Sequence, residues 1–221
     1  MGSSTYACAT GPKTAEIDIA RGTNAKLILE HQWDSFVTEA DFAYLQKIGI
    51  NTIRLPIGFW SLGPDFTKGS IFEKYGAAYT NSWPRVRRLI GWAGKYGIGV
   101  LVDMHGAYGS QNGQAHSGVS DGKTNLFSSK TNQQLTITAL EYITKEMSQV
   151  TNVVGIQILN EPKNDAALWP FYTTAIEAMR KVDPSMPLYI HDAFNIKQGA
   201  EFVGKRDDFT VVDHHSCESL A

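Results

Sequence analysis

Apolar positions along this chain follow two alternating rhythms: a helical spacing of three and four residues, then a short run of consecutive apolar side chains. The first pair begins where Thr38 and Asp41 can cap a helix whose Phe42, Leu45 and Ile48 share one face and which Gly49 stops. The strand Asn51-Thr52-Ile53-Arg54-Leu55-Pro56-Ile57 follows. Pro84 then stands at an early helical position, Val86, Leu89, Ile90 and Ala93 form a stripe ending at Gly97, and residues 98–104 read as a second strand. A helix over 132–150, burying Leu135, Ala139, Tyr142, Ile143 and Met147, leads into the apolar run 153–159. A helix over 170–182 precedes strand 188–191, and a weaker one over 196–204 precedes strand 209–215.

These five strands are short and apolar, as strands covered on both faces are, and each crossover is long enough for a parallel connection. The pattern predicts an α/β fold, with a barrel and an open doubly wound sheet both compatible. It divides the chain into an irregular segment over 1–33, one α/β domain over 34–215 and a tail over 216–221. Each strand ends in polar groups: Arg54; Asp103 and His105; Asn160 and Glu161; His191 and Asp192; His214 and His215. Active sites of α/β folds lie at the carboxyl ends of strands, so these residues are expected to build one site.

A chain of 221 residues with 43% hydrophobic side chains can bury a sizeable core. Twenty basic against 22 acidic residues give a net charge of −2 without a basic block, which argues against a nucleic-acid partner and for a neutral substrate. No apolar run reaches the ~18 residues of a membrane span, so no membrane partner is expected. Residues 1–7 lack the basic and apolar regions of a secretory signal. Cys8 and Cys217 pair only if the two ends of the chain meet, and two free thiols are an equal reading.

Glu161 is the candidate general acid, because burial at the mouth of an apolar strand raises a carboxyl pKa toward working pH. Asn160 beside it can bond a sugar hydroxyl, although Asn-Glu-Pro also serves simply to end a strand. Arg54 in an apolar strand requires a carboxylate, either as a structural pair or to orient a catalytic group. His105 shares a strand face with Asp103, and the Gly-rich loop over 106–113 lacks the lysine of a phosphate-binding loop. Trp60, Phe59, Tyr108 and Trp169 follow strand ends, where aromatic rings either stack on sugars or pack. A rival set, Asp213-His214-His215 with Asp103 and His105, resembles the ligands of a metal-dependent phosphoesterase, but the first strand presents Arg54 where that chemistry needs acids.

Four ordered segments resemble glycoside hydrolase family 5 and, within it, the fungal exo-β-1,3-glucanase branch: residues 51–60, 101–113, Asn160-Glu161-Pro162 and Val212-Asp213-His214-His215. The similarity runs from about Asp34 to His215. It implies a (β/α)8 TIM barrel of which this chain carries strands two to six, a retaining mechanism on β-glucan or oligosaccharide outside the cell, and no cofactor or metal. By the family's pattern Glu161 is the acid/base, and Arg54, His105, Asn160 and His215 support the site and bind sugar; Trp60 is added as an aromatic platform. The family's nucleophilic glutamate, on a later strand, has no counterpart, Glu218 lies on the same loop as His215, and Cys217 replaces a tyrosine. The chain is therefore expected to be non-catalytic by itself, a carbohydrate-binding remnant being the alternative, and to self-associate through open barrel edges.

Overall fold

Each helical stripe found in the sequence forms a helix followed by a strand, and the strands assemble in chain order. The computed structural model describes residues 15–216. Its principal helices are Glu16–Ala20 (α1), Ala25–Ser35 (α2), Glu39–Lys47 (α3), Ser82–Lys95 (α4), Asn125–Ser128 (α5), Lys130–Met147 (α6), Leu168–Val182 (α7) and Ile196–Val203 (α8). The strands are Thr52–Gly58 (β1), Gly99–Gly106 (β2), Val153–Gln157 (β3), Leu188–His191 (β4) and Thr210–Asp213 (β5). They form one sheet in the order β1-β2-β3-β4-β5, with every pairing parallel.

The local rules act where the residues call for them. Thr38 caps α3: its backbone N–H and hydroxyl both donate to Asp41, at 2.7 and 2.8 Å, and Gly49 ends the segment at φ 87°. Pro56 has no N–H to give a ladder, and β1 is an edge strand that can accept it. Val100, Val102, Met104, Ile156, Leu188 and Ile190 are fully buried in the sheet, under Leu140, Ile143 and Met147 of α6 and Tyr172, Ile176 and Met179 of α7. Of the α6 residues expected in the core, Leu135 and Tyr142 are only partly buried, and Leu140 takes an inner position instead.

Register then levels the polar strand ends. Asp103 of β2 pairs with Gln157 of β3, and His191 of β4 pairs with Asp213 of β5, so the groups just beyond them emerge at one end of the sheet.

The N-terminal part corrects the expectation of irregular structure over 1–33, since α1 and α2 occupy 16–35. Asp18 accepts the Ala15 N–H at 3.2 Å at the start of α1, whereas Asn24, at the N-cap of α2, is left-handed at φ 65° and makes no side-chain cap. Within α2 Ala25 and Leu29 are buried and Ile28 and Trp33 pack partly against the core, while Leu27 is 67% exposed. Ion pairs add to that packing, with Asp34 accepting from Arg85 at 2.6 and 2.9 Å and from Arg88 at 2.6 Å, both on α4. Arg85 and then Arg88 hold the Asp34 carboxyl well below its ordinary range. Cys8 and residues 217–221, Cys217 and Glu218 among them, lie outside the described residues.

Candidate active site

Arg54 of β1 finds the carboxylate its burial demands. Its Nη2 lies 3.1 Å from Asp103 Oδ2, and Asp103 is fully buried. The same guanidinium donates from Nε to Gln157 Oε1 and from Nη2 to Asn160 Oδ1, both at 2.7 Å, spanning β1 to the end of β3. His105 Nδ1 shares Asp103 Oδ2 at 2.6 Å. Gln111, in the loop after β2, receives Ala107 N–H on Oε1 and donates from Nε2 to the carbonyls of His105 and Asn160, locking the strand ends to the loop.

Glu161 leads a second chain of contacts. Its backbone is left-handed at φ 42°, a strained conformation for a side-chain-bearing residue, and Asn112 Nδ2 donates to its carbonyl at 3.0 Å. Oε1 meets His215 Nδ1 at 2.7 Å, and His215 Nε2 meets Asp213 Oδ2 at 3.0 Å. Asp213 Oδ2 also receives Gln157 Nε2 at 2.7 Å, which joins this chain to the Arg54 network.

The charge pattern reverses one expectation. Burial pushes the Glu161 carboxyl up, as foreseen, but the hydrogen bond and charge of His215, reinforced by His116 and His191, bring it below 4.5. Desolvation pushes His215 down, and its carboxylate partners Glu161 and Asp213 carry it above 6.5. Between those two values the arrangement is an imidazolium held by two carboxylates. His191, fully buried, is driven the other way, to about 4, first by burial and then by the charge of His215.

Glu161, His191 and His215 also place ligand atoms within 4.8 Å of one another, the spacing of a cation site. Their protons fit that use poorly. Ala193 N–H donates to His191 Nδ1 at 3.0 Å, so neutral His191 carries its own proton on Nε2 and keeps no lone pair for a metal. Both His215 nitrogens already face carboxylates. The phosphoesterase-like set is dispersed: His214 is tied to Asp192 at 2.6 Å, His105 to Asp103, and Asp213 to His215.

The structure thus brings Arg54, His105, Asn160, Glu161 and His215 into one network, and sets Trp60 apart. Trp60 is 7% exposed and stacked on Phe72 with ring centroids 4.6 Å apart, edge-on to Phe59. A Cβ on Gly58 or Gly118 would lie 2.2 or 2.3 Å from its ring, and Gly118 is left-handed at φ 95°, so those glycines admit the indole beneath the site. Phe59 and Tyr108 are buried with it and stack at 3.8 Å. Gln157 and His116 join the site without having been expected there. Gln157 lies inside an apolar run, where a buried amide is itself the signal that polar partners await it. His116 has no such marker.

Comparison with known proteins places this geometry. The model of the cellulase family, glycosyl hydrolase family 5, matches residues 16–216, which carries the likeness back beyond Asp34 into α1. Glucan 1,3-beta-glucosidase 3 of Schizosaccharomyces pombe is 35% identical over 221 aligned residues, covering 94% of this chain and 47% of that protein. Glucan 1,3-beta-glucosidase I/II of Saccharomyces cerevisiae is 32% identical, covering 89% of this chain and 45% of that protein. The chain therefore spans about half the length of the curated relatives it matches. Among solved structures, the rutinosidase from Aspergillus niger superposes with a TM-score of 0.83 at 16% identity, covering 96% of this chain and 64% of the other, a likeness of fold.

Proposed function

This chain belongs to glycosyl hydrolase family 5, and from that premise we propose that its strand ends form the acid/base half of a retaining β-1,3-glucan site. The observation that carries the reading is Glu161, positioned beyond β3 with one carboxylate oxygen anchored on His215 and the other free of that bond. Asn160, His105 and Arg54 are joined beside it. In this reading Glu161 is the acid/base at the leaving oxygen, taking the proton it delivers from the His215 imidazolium bonded to its Oε1, while His105 binds a hydroxyl of the sugar and Arg54 orients Asn160. The names of the relatives support a β-1,3-glucan as substrate, and a polymer of that kind is met outside the cell.

Retaining chemistry sets two carboxyl groups about 5 Å apart across the scissile bond. The carboxylate linked to Glu161 in this structure is Asp213, and His215 stands between them, bonded to both. Among the described residues that arrangement positions and charges Glu161 without setting a second carboxylate across from it as a nucleophile. Binding without turnover is the expected behaviour of these 221 residues. Calorimetric titration with laminari-oligosaccharides should show saturable binding that His105→Ala weakens about tenfold, or ~1.4 kcal/mol. Failure to bind any β-glucan would remove the proposal. Laminarin hydrolysis abolished by Glu161→Gln would confirm the acid/base role and overturn the account of turnover.

A further inference from the structure

His116, in the loop after β2, is the side chain that approaches the oxygen of Glu161 that His215 leaves open. Glu161 Oε1 is held by His215 at 2.7 Å, and Oε2 lies 3.7 Å from His116 Nε2. The hydrogen bonds around this histidine fix where its proton sits. Arg54 Nη2 donates to Asn160 Oδ1 at 2.7 Å, so Asn160 Nδ2 faces the other way, toward His105 Nε2 and His116 Nδ1, each at 3.4 Å. An amide nitrogen only donates, and both imidazole nitrogens that face it are therefore acceptors. For His105 this agrees with the proton on Nδ1, which meets Asp103 at 2.6 Å.

For His116 the same logic places the proton on Nε2. Acceptors near it are Gln114 Oε1 at 3.2 Å and Glu161 Oε2 at 3.7 Å. Asn112 Nδ2, 3.4 Å away, bonds the Glu161 carbonyl with one N–H and has a second to turn toward His116, so Gln114 Oε1, the nearer group, is what keeps the proton on Nε2.

We propose that His116 is a positioning residue for Glu161, held as the Nε2–H tautomer between the Arg54–Asn160 pair and Gln114 Oε1, with the open oxygen of the carboxylate 3.7 Å from that nitrogen. The assignment deepens the reading of Glu161 as an acid/base and takes its functional meaning from it. The polarity of the hydrogen bonds stands without it. A second proton on His116 Nδ1 would set donor against donor at Asn160, and the amide cannot turn over without presenting Nδ2 to Arg54. Burial and then the neighbouring His105 also depress His116 from 6.5, against the pull of Glu161 and Asp103. Glu161 in turn is faced by His215, His116 and His191. His116 is thus shifted down from 6.5 while His215, on the other oxygen of the same carboxylate, is shifted up.

Long-range proton–nitrogen correlation on histidine-labelled protein at neutral pH should show His116 with a bare Nδ1 and a protonated Nε2. Asn160→Asp exchanges the donor for an acceptor and should raise the His116 titration midpoint by about 1 pH unit. His116→Phe should raise the midpoint of Glu161 by about half a unit, with partial restoration in His116→Gln, which keeps an N–H. A Nδ1–H tautomer in the parent protein would overturn the proposal. So would an unmoved Glu161 midpoint in a folded His116→Phe. None of these readouts needs turnover, so a protein that binds no glucan yet shows the coupling would end the glycosidase reading and uphold the role of His116.

Discussion

At the scale of single residues, three histidines a few ångströms apart do different work because each has different partners. His215, paired with two carboxylates, is raised above 6.5, whereas fully buried His191 is lowered to about 4. The stability consequence of His191 follows from proton counting. Between about pH 4 and 6.5 its unfolded form binds a proton that its folded form does not, so stability falls as pH falls through that window. The full effect is about 3 kcal/mol. His215 has the opposite sign, but its stabilisation is complete below 6.5 and is lost only as pH rises through its higher folded value. Glu161, lowered from 4.5, loses its contribution only below that value. The interval from 4.5 to 6.5 therefore isolates His191 from both. Glu16, raised to about 7 by burial, and His116, lowered from 6.5, also titrate in this interval and are common to both proteins, so urea titrations across it should show the stability of the parent relative to His191→Gln, whose amide oxygen can still accept the Ala193 N–H, falling as pH falls.

The chain's strand-end residues were legible because a strand that ends in Arg, His, Asn or Glu announces itself against an apolar run. The sign of the Glu161 shift was not, since sequence shows the desolvation of a strand mouth but not the histidine that arrives from β5, 54 residues later. His116 was hidden for the same reason: its neighbours in sequence are Ala115 and Ser117, while its meaning comes from Asn160 and Glu161 across the sheet.

Among the elements, those with both a cap and a stripe could be read to within a few residues, and those without could not. α3 has the Thr38–Asp41 box, and α6 has Ser129 accepting the Asn132 N–H at 3.2 Å. α2 has the stripe of Ala25, Ile28, Leu29 and Trp33 but no side-chain cap, and part of its docking is ion pairs from another helix, information that no local window contains. The difference makes a prediction about α3. Asp41→Ala removes the acceptor for both the backbone and the hydroxyl of Thr38 and should cost about 1 kcal/mol by urea denaturation, because a capping box satisfies donors the helix itself leaves open. Thr38→Ala in the Asp41→Ala background should add little, as the pair acts through one shared contact.

For the whole molecule, parallel order could be anticipated from the helix–strand alternation, while the choice between a barrel and an open sheet rested on the family resemblance. Among the described residues β1 pairs only with β2 and β5 only with β4, which leaves two edges with unmatched backbone groups. The edges are not equal. Pro56 removes a donor from β1, which blunts it as a template. At the other side, β5 directly follows Phe209, 61% exposed, and packs against α8, beside whose start lie Phe194 at 53% and Ile196 at 51%. An open strand beside three exposed apolar side chains is the surface on which we propose that a second copy of the chain docks. Sedimentation velocity from micromolar to millimolar concentration should show association that Phe209→Lys weakens, because the new charge has to be desolvated on docking while the Phe209 carbonyl keeps its bonds to Leu188 and Arg180. A single monomeric boundary across the range would remove the docking surface. Association unchanged by Phe209→Lys but lost on charging Ile53 would move it to β1.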